Sequence, residues 1–164
     1  MRPIVASIHA PSRYISTFLD ELLSPFFNQV ARTTTFTNGI DLVRALEKYR
    51  DNDFLLPSTL FITFDVTDLY TMMSREGALA ALARLCAQHS NSGKTDNISV
   101  DTLLRLARIV LDINTFAYDD KYYQQIKGDA MGSPFTMVLA HIYMLEWETS
   151  LIINQTSQNE LYSR

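Results

Sequence analysis

One cysteine, Cys86, is the whole thiol content of the chain. That excludes an internal disulfide framework and a cysteine-based metal site within one copy. Its neighbours, Ala80-Ala81-Leu82-Ala83-Arg84-Leu85, follow a helical pattern, so a buried core thiol is expected. Positive charge is also scarce: 14 Lys and Arg stand against 18 Asp and Glu, a formal net charge of −4. Phosphate neutralisation needs clustered cations, so this balance argues against a dedicated nucleic-acid-binding module. No apolar run approaches the roughly 18 residues of a membrane span. Arg2, Pro3 and His9 interrupt the N-terminus where a signal peptide would carry its apolar core. An intracellular protein with no membrane partner is the expectation. His9, His89 and His141 fall at spacings that make no metal pattern and are read as structural. Neither a P-loop, nor a dinucleotide fingerprint, nor a serine or cysteine triad is present.

What remains is ordinary globular composition: 164 residues, 47% hydrophobic and 20% charged, enough for one domain with a real core. Met1–Ile8, partly β-branched, suggests a strand. Ser12 can cap a helix carrying Tyr14, Ile15, Phe18, Leu19, Leu22 and Leu23 on one face, which Pro25 should disturb. Asn38-Gly39 signals a turn before a short amphipathic helix with Ile40, Leu42, Val43, Leu46 and Tyr49 inward. Leu60–Val66 has strong β formers and reads as a largely buried strand. Ser74 opens a helix to about Gln88, His89 to Asn97 reads as an exposed loop, and Ser99 or Asp101 caps a helix inward at Leu103, Leu104, Ala107, Val110 and Leu111. Phe116 to Gln125 suits a hairpin turning at Asp119-Asp120. Ser133-Pro134 opens a last helix, with proline where a missing N–H is harmless, apolar nearly all round through Trp147 and therefore central. From Asn154 the chain is polar and expected to fray.

Chemistry concentrates in two stretches. Asp65 ends the apolar run Leu60-Phe61-Ile62-Thr63-Phe64, a place where an active-site acid can sit, although a lone strand-end aspartate also serves as a cap. Tyr70 follows five residues on. Some sixty residues later, Lys127-Gly128 and Met131-Gly132-Ser133-Pro134 form a small-residue turn suited to close approach, since glycine lacks a Cβ and permits positive φ. Either stretch alone has a plain structural account, as a core tyrosine or as a hairpin-to-helix connection.

Taken in order, Phe64-Asp65-Val66, Leu69-Tyr70-Thr71 and Ile126-Lys127-Gly128 through Pro134 resemble motifs A and B of the reverse transcriptase palm of Penelope-like retroelements. Arg2-Pro3-Ile4-Val5 resembles the end of a fingers motif. The resemblance implies an α+β fold: a partial right-hand fingers and palm, with a small antiparallel sheet packed by about five helices. It divides the chain into a fingers-like portion 1–58, a partial palm 59–153 and a polar end 154–164. The implied activity is RNA-directed DNA polymerisation by two-metal nucleotidyl transfer. Asp65 and the Val66 carbonyl would hold Mg2+, whose preference is for hard oxygen ligands. Arg2, Thr67, Asp68, Leu69, Tyr70, Lys127 and Gly128 would meet the nucleotide, with Tyr70 blocking a ribose 2′-hydroxyl. Met131, Gly132, Ser133 and Pro134 would touch the template side. RNA template, DNA primer and deoxynucleotide are the implied partners of a complete domain.

Asp129 departs from that pattern, where an uncharged residue is expected. Tyr118-Asp119-Asp120 is a turn and not the two-aspartate motif C, because it precedes Gly128; motif C would follow an arginine placed about where Arg164 lies. Without those aspartates and a thumb, the chain alone is expected to bind Mg2+ and nucleic acid weakly and to lack polymerase activity. The alternative is a non-enzymatic interaction module, in which an exposed sheet edge recruits a partner chain.

Overall fold

The computed structural model describes residues 11–89, 93–128, 130 and 132–164. Among them lie six α-helices and two short antiparallel ribbons, so the chain is α+β. The Met1–Ile8 segment, Arg2, His9, Asp129 and Met131 lie outside the described residues.

Four helices make the core: α1 (Arg13–Val30), α4 (Arg75–His89), α5 (Val100–Asp112) and α6 (Pro134–Ser157). α6 packs on α1 and α4, and α5 closes the square against the same two. The facing residues recur at helical spacing: Leu19, Leu23 and Phe27 from α1, Leu82 and Cys86 from α4, Leu103, Ala107 and Val110 from α5, Phe135, Leu139 and Ile142 from α6. Removal of this apolar surface from water is what drives the four together. Cys86 is buried, as its setting suggested, and burial pushes its thiol pKa up.

Local signals set several boundaries. Asn38 caps α2 (Gly39–Asp51), its side chain accepting from the Ile40 and Asp41 N–H groups at 2.9 and 3.1 Å. Ser99 caps α5 through Thr102 N–H at 3.1 Å, while Asp101 pairs with Arg105 one turn on. Asp119 and Asp120 both adopt positive φ, joining β3 (Thr115–Tyr118) to β4 (Lys121–Gln124) in a two-residue turn whose twist matches the strands. At the end of 89–97 begins a feature the composition hid, a ribbon of β1 (Lys94–Thr95) with β2 (Ile98–Ser99).

Elsewhere tertiary packing overrides local preference. α1 continues through Pro25, because Leu23 and Phe27 on either side are anchored in the core while Pro25 faces solvent. α6 is central only over its first half; Trp147 is 61% exposed, since α1 and α4 cover a limited length of it. The helix continues to Ser157 instead of fraying at Asn154, and the chain returns so that Arg164 lies beside Thr35, exchanging backbone bonds with Thr34 and Phe36 at 3.1 and 2.9 Å.

The largest departure is Leu60–Val66. It has no ladder partner among the described residues, and Leu60, Phe61 and Ile62 are 81, 71 and 79% exposed. The composition of a buried strand is present, but no neighbouring strand among the described residues pairs with it. The small sheet expected under five helices is instead two separate ribbons, and a single helical turn, α3 (Leu69–Met72), follows Asp68.

Candidate functional site

A cleft of about 1530 Å³ is lined by Leu60–Val66, by α2 and by the outer half of α6. Asp65, Val66, Asp68, Leu69 and Tyr70 all line it, together with Met144, Glu148 and Leu151 of α6. The sequence therefore brings most of its first candidate stretch to one place. Asp65 is solvent-exposed, as is Thr67 beside it. Asp68 has φ of +63°, a left-handed conformation that aspartate tolerates better than most residues, and its carbonyl accepts from Thr71 and Met72 N–H at 3.0 and 2.9 Å to start α3. Leu69 and Tyr70 lean half-buried on the core, so the tyrosine has a packing role whatever else it does.

The second candidate stretch packs behind the first. Gly128 has φ of +69° and is buried against α3; a Cβ there would come within 2.7 Å of Thr71 Cα and closer still to the Tyr70 carbonyl oxygen. Its N–H donates to the Met73 carbonyl at 3.2 Å. Lys127 reaches the Met72 sulfur at 3.9 Å. Gly132 is exposed with φ of +87°, and Ser133 and Pro134 start α6 as cap and first residue. None of the described residues of this turn lines the cleft, so the two stretches touch through backbone at Tyr70–Thr71 and do not share one cavity.

Two positioning groups escaped the sequence. Arg75 reaches across from the start of α4, donating to the Gly128 carbonyl at 3.1 Å and to the Gln125 carbonyl, which pins the turn to the start of α4. A cation in the first turn of a helix opposes the helix dipole, and that misplacement is the one signal that could have marked it. Ser16 of α1 caps α6 from a distance: its hydroxyl accepts from Phe135 N–H at 3.0 Å and lies 2.7 Å from the Ser133 hydroxyl. A partner 119 residues away leaves no trace in local spacing.

On the cleft's far wall, Glu148 is 3% exposed and pairs with Arg164 at 3.1 Å. The Arg164 guanidinium also stands over the Phe27 ring at 5.0 Å. Tyr162 beside them has its pKa pushed up to about 12 by burial, then by the Glu148 charge and hydrogen bond. His141, packed on Phe27, is held below the usual histidine value by burial and by Arg164.

A magnesium site needs several oxygen ligands at short range. Among the described residues no group of three or more His, Cys, Asp or Glu is placed to hold a metal ion. Asp65 and Asp68 are the carboxylates the first stretch brings to the cleft, and they do not by themselves make such a site. No helix among the described residues is long and apolar enough to cross a membrane. No family model matches the chain, and neither the curated proteins nor the solved structures compared with it contain a match.

Proposed function

We propose that this chain carries part of the fingers and palm of an RNA-directed DNA polymerase. The observation that supports the reading is the backing of Tyr70–Thr71 by Gly128: a turn that resembles motif B lies against the segment that resembles motif A, with Asp65 and Tyr70 directed to one cleft. In this reading Tyr70 acts by volume, its ring taking the space a 2′-hydroxyl would need. Arg75 and Gly128 fix the height of α3 and hence of that ring. Because the described residues do not make a metal site, no catalytic step is assigned to them. Asp65 contributes one exposed carboxylate.

The test joins this chain to a segment carrying the aromatic-x-Asp-Asp motif and a thumb, and measures magnesium-dependent primer extension. Extension should appear, should vanish with Asp65→Asn, and should accept ribonucleotides with Tyr70→Ala while deoxynucleotide extension stays measurable. Extension at the parental rate with Asp65→Asn would make this aspartate a structural residue.

One observation favours a second reading, that of a non-enzymatic interaction module: Leu60–Val66, mostly apolar and exposed, has no ladder partner among the described residues. A pull toward strand pairing follows from backbone groups without a ladder partner.

A further inference from the structure

We infer that the cleft beside Leu60–Val66 is a strand-addition site for a separate polypeptide segment that carries lysine or arginine. The inference rests on the interaction-module reading and names its partner. Three observations converge on an extended chain as the occupant. First, Leu60–Val66 is a seven-residue, mostly apolar stretch at the surface with no ladder partner among the described residues. Its backbone N–H and C=O groups, otherwise left to water, can pair with an added strand. Second, the helix across the cleft is also uncovered: α2 buries none of its residues, and its Leu42, Leu46 and Tyr49 face the same space. An incoming strand would thus bond to one wall through its backbone and cover the other with alternate apolar side chains. Third, the cleft, at about 1530 Å³, exceeds the roughly 300–1,000 Å³ typical of small-molecule pockets. A polypeptide fits it better than a metabolite.

Charge decides what kind of polypeptide. Asp53, Asp65 and Glu160 stand on the lining with side chains open to water. The one cation among the described lining residues, Arg164, is engaged by Glu148. A basic strand therefore meets complementary charge. A second copy brings the same carboxylates and a net charge of −4 to face their like, and nucleic acid brings phosphates to an acidic wall.

The experiment uses the full chain and three labelled nine-residue probes: alternating valine and lysine, the same with glutamate for lysine, and the lysine peptide with a central proline. Fluorescence anisotropy reads binding, and amide hydrogen exchange reads where the peptide lies. The lysine peptide should bind at least tenfold tighter than the other two and slow exchange at Leu60–Val66. Ile62→Pro should weaken it at least tenfold without moving the thermal midpoint, because residue 62 is at the surface. Asp53→Lys with Glu160→Lys should remove the preference for lysine over glutamate. Equal binding of lysine and glutamate peptides with Leu60–Val66 protected would overturn the basic partner while leaving the strand-addition edge. Binding without protection there, or no binding by any probe, would overturn the interaction reading as well. Sedimentation showing a dimer, with the same amides protected and no peptide present, would overturn the separate partner in favour of a second copy.

Discussion

Gly128 is the residue on which the arrangement of the two candidate stretches depends. The contact with Tyr70–Thr71 leaves no room for a Cβ, and the left-handed φ adds strain for any side chain. Gly128→Ala should cost about 2–5 kcal/mol, combining the left-handed penalty with overpacking, and urea denaturation will measure it. Arg75 is its counterpart at the side-chain level, and the loss of its bonds should show first as faster amide exchange in the 125–128 turn. Tyr162 makes the pH prediction. Its proton is held more tightly in the folded state, with a pKa of about 12 against an ordinary 10.0. That contribution is intact below about pH 10 and is lost as pH rises toward 12, because the unfolded chain then releases a proton that the folded chain keeps. Stability measured from pH 9 to 12 should fall, and Tyr162→Phe should flatten the fall.

At the scale of elements, the helices obey their pattern of apolar residues more than their local breakers. Pro25 inside α1 leaves a carbonyl without its helical donor and faces water. Pro25→Ala should therefore stabilise the protein by about 1–3 kcal/mol, read as a raised midpoint in thermal unfolding. Asn38→Ala should do the opposite to α2, costing about 1 kcal/mol, since two N–H groups lose their acceptor. Because α2 buries no residue, that loss should appear as local opening of residues 39–51 in hydrogen exchange ahead of global unfolding. The hairpin β3–β4 is legible from its aspartate pair, because positive φ at both turn positions is a local requirement. Ser16 capping α6 and Arg75 holding the 125–128 turn are not, because each joins residues separated by fifty positions or more.

For the whole molecule, charge is the first constraint on partners. With a net charge of −4, the chain should bind RNA–DNA hybrid no tighter than about 10⁻⁴–10⁻⁶ M at physiological salt, as a filter or anisotropy titration will show. The four-helix core gives the molecule its rigidity, and the cleft side lies outside it: α2, Leu60–Val66 and the returning residues 158–164 are joined by few buried apolar contacts. Glu148 and Arg164 hold that return. Glu148→Ala leaves the guanidinium without its carboxylate and should cost about 3 kcal/mol, whereas an apolar pair of similar volume at both positions should cost far less.

The sequence by itself determined the α+β class, the core helices, the break at Asn38-Gly39, the cap at Ser99, the start of the last helix at Ser133-Pro134, the buried Cys86 and the aspartate turn, since each follows from spacing or from a local conformational demand. It also marked Asp65, Tyr70 and Gly128 as a set. Only the tertiary structure decided that Gly128 supports Tyr70–Thr71 from behind while Asp65 looks into a separate cleft, that Arg75 holds the turn, and that Glu148 and Arg164 close the far wall. It also decided the state of Leu60–Val66. β-branched and aromatic residues announce a strand's capacity for burial, but a strand is completed by its neighbours, and pairing between distant segments is a property of the assembled chain.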